Sequence, residues 1–200
     1  GSEMCIRDRR GLASLIDTGQ VARLATGRAS NLKAGHNPVS GEANLTALRE
    51  RASKKPIRFA VDPTSPSALA AANTLYDVLE AHGIPAEVTT DRLTTITSKL
   101  LPEGKVDAVV TWEDITLTSL SAAKIFNCAE DQPLAGDLSG FCPENAEQTR
   151  RDILSGKISP STALGRIREI NAQDVLYVPL LDETRVHALG EGIVGPGQSI

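Results

Sequence analysis

The most regular alternation of apolar and polar positions lies in residues 56–112. Ile57–Val61 places large apolar side chains at every second position, which is the period of a β-strand. The next apolar positions recur three and four residues apart, which is the period of a helix: Leu69, Ala72, Leu75, Tyr76 and Leu79. Ala86 and Val88 then indicate a second short strand.

The remainder of this stretch repeats the same order. Apolar positions across Leu93–Leu100 mark a second helix, which Pro102 and Gly104 should end. The run Val106–Val110 is too uniformly apolar for an exposed edge and predicts a third strand, so we expect a sheet covered on both faces. Strands and helices that alternate with short connections are typical of a parallel βαβαβ unit, and the sequence therefore predicts an α/β fold.

Weaker patterns flank this unit. Two short helices separated near Asp17 are expected between residues 11 and 27. Residues 28–55 are rich in polar and turn-forming residues, which predicts a surface loop or linker, with one helical turn anchored by Leu45 and Leu48. The basic run Arg49–Lys55 that follows is interpreted as a solvated face, and a phosphate site is the alternative.

Serine followed by proline predicts the start of a helix at two places, Ser65-Pro66 and Ser159-Pro160, and Gly83 is placed to end the first of these helices. Asn145–Leu154 also has helical composition. Val175–Leu181 is predicted as a strand, and its proline places it at an edge or end of a sheet.

Composition and charge exclude several classes of function. The formal net charge is −4 and aromatic residues make up 3% of the chain, which disfavours a nucleic-acid surface or an anionic lipid surface. The turn after the first strand, Asp62–Pro66, contains no glycine, so neither a dinucleotide loop nor a phosphate loop is expected and no cofactor is predicted. His36, His82 and His187 stand apart from one another, and no metal site is predicted.

Several short motifs follow one another after residue 106: Asp107-Ala108, Trp112-Glu113-Asp114, Cys128, Asp137-Leu138-Ser139-Gly140-Phe141-Cys142-Pro143 and Val175-Leu176-Tyr177-Val178-Pro179-Leu180-Leu181. In order and spacing they resemble the C-terminal part of extracellular solute-binding proteins of family five, the peptide-binding type, and in particular its actinobacterial lipoproteins. Asp137 departs from the asparagine common in that family, and Glu113-Asp114-Ile115 lacks its Asp-Pro-Asp type of sequence.

The resemblance implies a type II periplasmic-binding-protein-like fold, in which two lobes close on a ligand by a hinge motion. Residues 11–120 would form much of the second lobe, and residues 121–200 would cross over and return toward a first lobe that is missing from this sequence. Residues 1–10 resemble a translated sequencing adapter and are expected to be a non-native leader. The chain is therefore interpreted as a C-terminal fragment.

The resemblance also implies a ligand site. Trp112, at the C-terminal end of a parallel strand, is expected to be a wall residue of the cleft, and a tryptophan of the core is the alternative. Asp114 is expected to anchor a ligand ammonium group, with Glu113 as the competing candidate. Ordinary surface acids are the alternative for both.

Cys128 and Cys142 are predicted to form a disulfide, because an exported chain of this family would oxidise them. Closing a loop of this length stabilises the fold by roughly 3 kcal/mol in the chain-entropy model. Two buried free thiols are the alternative. A thiol titration without and with reductant distinguishes them: the disulfide predicts that these two thiols react only after reduction, and their reaction in the unreduced protein would disprove it.

Three functions remain open. The first is the substrate-binding lipoprotein of an ABC importer, which would bind a peptide or similar small solute, contact the permease subunits and lie on the extracellular face of the membrane through a lipid anchor outside this sequence. The second is a lipoprotein of the same fold that regulates cell-envelope glycolipid synthesis. An α/β enzyme with an unrecognised site is the third.

Overall fold

The computed structural model describes residues 4–26, 32–41, 45–112, 123–124, 126–127 and 144–183. In chain order its elements are α1 (Ile6–Ser14), α2 (Thr18–Thr26), β1 (Leu32–Ala34), α3 (Thr46–Lys54), β2 (Ile57–Val61), α4 (Pro66–Ala81), β3 (Ala86–Thr90), α5 (Leu93–Thr95), which continues into a π-helical turn (Ile96–Leu100), β4 (Ala108–Val110), α6 (Ala146–Leu154), α7 (Pro160–Asp174) and β5 (Leu181–Glu183).

The predicted βαβαβ unit is confirmed as a three-stranded parallel sheet in the order β3-β2-β4. Val61, the last residue of the central strand β2, lies opposite Thr90 of β3 and Val110 of β4. The carboxyl ends of the three strands therefore meet at one edge of the sheet.

Both faces of the sheet are covered, because alternate residues of β2 enter different apolar clusters. Ile57, Phe59 and Val61 are buried with the apolar side of α4 in the largest cluster. Ala60 points to the other face and is buried with Ile96 of the π-helical turn. The uniform apolar character of these strands follows from this two-sided burial.

The N-terminal elements pack onto this unit. The two predicted helices are confirmed as α1 and α2, and α2 packs on α4. α1 begins at Ile6, within residues 1–10, the segment expected to be a non-native leader. Residues 28–55 contain more regular structure than predicted, since they include β1 and, where one helical turn was expected, the nine-residue helix α3.

The C-terminal elements form a second apolar cluster. Its buried residues come from α6, from α7 and from the short segment before them: Ala123, Phe126, Ala146, Ile153, Ala163, Leu164 and Ile167. The predicted helices are confirmed, and the Ser159 hydroxyl accepts a hydrogen bond from the Thr162 N–H at 3.2 Å, as an N-cap should.

The predicted strand Val175–Leu181 is wrong over most of its length. Val175 adopts the left-handed conformation with φ 49°, and the strand β5 begins only at Leu181 and pairs antiparallel with β1. The segment between Val175 and β5 packs on two different apolar clusters. Tyr177 packs on the second cluster, whereas Val178 and Leu180 pack on the largest one, so the segment bridges the two cores.

Candidate functional site

The sheet has a change of winding direction at β2. The chain leaves β2 to form β3 on one side and then returns past β2 to form β4 on the other side. The helices that follow β2 and β3 lie against opposite faces of the sheet. The carboxyl ends of β2 and β4 therefore form the switch point of the sheet, which is the position where open α/β sheets form a crevice and bind ligands. This position is here called the crevice.

Trp112 lies at this crevice. It follows β4 by two residues, packs partly on the largest apolar cluster and remains partly exposed. Its indole Nε1–H donates a hydrogen bond to the Ser67 hydroxyl oxygen at 2.9 Å. Ser67 is the second residue of α4, so this bond joins the end of one strand to the start of the helix that follows its neighbour.

The start of α4 differs from the predicted cap in one respect. Ser65 occupies the N-cap position with an extended backbone, and Pro66 is the first helical residue as expected. The Ser65 side chain, however, makes no capping hydrogen bond. The sequence pattern did not single out Ser67, but its side chain is the one that makes a hydrogen bond here, with Trp112.

Asp62 fixes the loop after β2. Its Oδ1 accepts hydrogen bonds from the Thr64 hydroxyl at 2.7 Å and the Thr64 N–H at 2.9 Å, and its Oδ2 accepts one from the Leu93 N–H at 2.9 Å. The Thr64 hydroxyl is the main reason that the pKa of Asp62 lies below its usual value, and the Leu93 N–H adds to the effect. The ionised carboxylate of Asp62 therefore joins the loop after β2 to the start of α5 through hydrogen bonds.

The opposite edge of the sheet carries an ion network of Asp8, Arg51, Arg58 and Asp107, here called the Asp107 network. The Asp107 side chain is fully buried one residue before β4. It accepts hydrogen bonds from Arg51 Nη2 at 2.7 Å, from the side chain of Arg58 at 3.0 Å through both Nε and Nη2, and from the Arg58 backbone N–H at 2.9 Å. Arg51 Nε also lies 3.7 Å from Asp8 Oδ2.

Burial raises the pKa of Asp107, but the hydrogen bonds from Arg58 and Arg51 outweigh it and hold the pKa below its usual value. Arg51 is thus largely buried in an ion pair, which corrects the solvated interpretation of the run Arg49–Lys55 at this position. Arg49, Lys54 and Lys55 are exposed as expected. Asp107-Ala108, the first of the family-like motifs, therefore lies at the amino edge of the sheet, at the opposite edge from Trp112.

The other predicted site residues lie outside the described residues: Glu113, Asp114, Cys128 and Cys142. Their roles and the disulfide stay predictions. In the described ranges, no group of three or more potential metal ligands comes together. No helix among them is both long and apolar enough to cross a membrane.

Comparison with protein-family models and with curated proteins finds no match to this chain. The chain has an α/β fold, and a partly exposed aromatic residue, Trp112, lies at the switch point of its parallel sheet. The likeness to family-five solute-binding proteins rests on the sequence motifs alone, and the particular function is a proposal.

Proposed function

We propose that this chain is part of a solute-binding protein that delivers peptides or similar small solutes to an ABC importer. The observation that carries the proposal is the position of Trp112, partly exposed at the crevice between the carboxyl ends of β2 and β4. An aromatic ring at this place supplies apolar contact area at the usual ligand position of an α/β sheet. The order of the family-five motifs along the chain supports the same assignment.

In this proposal the sheet is the core of one lobe of a type II periplasmic-binding-protein-like pair. The crevice with Trp112 faces the first lobe, and the ligand is enclosed when the two lobes close. Glu113 and Asp114 directly follow Trp112 in the sequence, where they would meet a ligand ammonium group. The protein is held on the extracellular face of the membrane by a lipid anchor, and it passes its ligand to the permease subunits.

The chemistry at the crevice favours binding over catalysis. Among the described residues, the carboxylate of Asp62 directly follows β2 and is held in place, and its lowered pKa makes it a weak base at neutral pH. Its oxygens already accept three hydrogen bonds that brace the surrounding loops. The Ser67 hydroxyl accepts its hydrogen bond from the indole of Trp112, which is a group that cannot activate a nucleophile.

Titration calorimetry of the full-length protein with mixed oligopeptides is expected to show binding heat. Trp112→Ala should weaken the affinity by about tenfold or more, since an aromatic residue at the centre of a contact commonly contributes at least that much. Tyr76→Ala is the matched control, because Tyr76 is an exposed aromatic residue within α4, away from its crevice end. It should leave the affinity unchanged.

Two outcomes would contradict the proposal. Equal losses in Trp112→Ala and Tyr76→Ala would mean that the crevice is not the ligand site. No binding heat with any peptide would contradict peptide binding and favour the regulatory lipoprotein of the same fold.

A further inference from the structure

We propose that Ser67 is a positioning residue that fixes the Trp112 ring and thereby makes the crevice selective for an apolar or aromatic side chain of the ligand. The ligand part of this inference rests on the proposed function. The positioning part can be tested in the ligand-free chain.

The hydrogen bond between the two residues determines which part of the indole a ligand can use. Nε1–H is the only hydrogen-bond donor of a tryptophan side chain, and here it is directed to the Ser67 hydroxyl at 2.9 Å. The remainder of the ring is hydrocarbon, part of which packs on the apolar cluster beneath it. A ligand carbonyl therefore meets no free donor on this ring, and the exposed part offers hydrocarbon surface for contact with apolar or aromatic groups of the ligand.

The position of Ser67 makes the orientation rigid. Ser67 lies in the first turn of α4, a sixteen-residue helix whose buried residues anchor it to the sheet. The residue that carries the indole follows β4, which is paired with β2 in the same sheet. The hydrogen bond thus holds the ring between two fixed elements, so that little rotational freedom is lost when a ligand binds.

The composition of the chain provides a direct probe, because Trp112 is its only tryptophan. In Ser67→Ala we expect lower steady-state fluorescence anisotropy of Trp112 and roughly twofold stronger quenching by acrylamide, since loss of one hydrogen bond frees the ring. Ser67→Thr keeps the hydroxyl and should restore both values. Ser65→Ala is the control, because Ser65 is two residues away and its side chain makes no capping bond. Far-UV circular dichroism should be the same in all four proteins.

The selectivity is tested in the full-length protein with two tripeptides, Ala-Phe-Ala and Ala-Ser-Ala. The wild type should prefer the phenylalanine peptide, and Ser67→Ala should reduce this preference by roughly two- to tenfold, the range of one oriented aromatic contact. Ser67→Thr should retain the preference.

The outcomes separate the two proposals. Unchanged anisotropy and quenching in Ser67→Ala would overturn the positioning role whatever the protein binds. Changed fluorescence with an unchanged peptide preference would overturn the selectivity. Failure of the wild type to bind either peptide, or any other, would refute the solute-binding function and the selectivity that rests on it, whereas the fluorescence result alone decides the positioning role.

Discussion

Replacement of Asp107 by asparagine is expected to lower the free energy of unfolding by about 3–5 kcal/mol, the usual cost of removing one partner from a buried ion pair. The Asp107 carboxylate is fully buried and is shared by Arg51 and Arg58, which are themselves largely buried. Asparagine has a similar shape but no charge, so both guanidinium groups lose the charge of Asp107, and Arg51 keeps the longer contact with Asp8 at 3.7 Å. Urea or guanidinium denaturation at neutral pH measures the loss.

Arg49→Gln is the matched control for this experiment. Arg49 lies on α3 with Arg51, but its side chain is exposed. Its replacement should change the free energy of unfolding by no more than about 0.5 kcal/mol. A loss below about 1 kcal/mol in Asp107→Asn would show that the Asp107 network does not hold the amino edge of the sheet together.

The contribution of Asp107 should also depend on pH. Its pKa in the folded protein lies below the usual value of 3.8, because the hydrogen bonds from Arg58 and Arg51 outweigh the effect of burial. A carboxyl group with a lowered pKa stabilises the fold fully above its unfolded pKa and loses this contribution as the pH falls through its folded pKa. The difference in stability between wild type and Asp107→Asn should therefore be constant from pH 7 to about 5 and shrink below about 4.

Gly35→Ala is expected to lower the free energy of unfolding by about 2–4 kcal/mol, because it forces two backbone segments apart. The Gly35 N–H donates a hydrogen bond to the Leu180 carbonyl oxygen at 3.0 Å. An alanine Cβ at this position would overlap the Pro179 carbonyl oxygen and would lie 2.5 Å from the Pro179 carbonyl carbon. Backbone atoms cannot rotate away as the end of a side chain can, so the segment before β5 would have to shift.

Gly165→Ala is the control, and it is expected to raise the free energy of unfolding instead of lowering it. Gly165 lies within α7, and an added Cβ would meet no atom within 4 Å. Alanine should stabilise the helix by roughly 0.5–1 kcal/mol relative to glycine. Thermal or denaturant unfolding of both variants tests the pair. Equal stability of Gly35→Ala and wild type would mean that the close approach to Pro179 is not part of the fold in solution.

The central unit could be predicted from the sequence because its burial is regular. Ile57, Phe59 and Val61 are buried on one face, and the apolar periodicity of α4 matches the face that it packs on the sheet. Gly83 has φ 67° and ends α4 as predicted, because glycine adopts this conformation without a steric cost. Where local pattern and packing agree, both the kind of element and its ends follow from the sequence.

The errors occur where the fold depends on distant partners. β1 has three residues, and it exists as a strand because it pairs with β5 near the other end of the described chain. Val175–Leu181 has a strand-like composition, but the left-handed Val175 and the proline without an N–H prevent regular pairing over most of it. Local propensity carries no information on the distant partner of β1 or on the left-handed backbone of Val175.

The same limit applies to the candidate site. The place of Trp112 after the third strand was predictable, since the carboxyl edge of a parallel sheet follows from the order of its elements. Its hydrogen bond to Ser67 was not, because the two residues are 45 positions apart in the chain. The ion pair of Arg51 with Asp107 spans 56 positions and could not be distinguished from a solvated basic run. The roles of Glu113, Asp114, Cys128 and Cys142 remain predictions.

The placement of β4 beside β2 also matters while the protein is being synthesised. β2, α4 and β3 leave the ribosome before β4, so β2 can pair with β3 while its other edge has no partner. An apolar strand with an uncovered edge is a template for pairing with another chain. One edge of β2 is therefore open to strand-mediated association from the emergence of Thr90 until Val110 has emerged and β4 has paired.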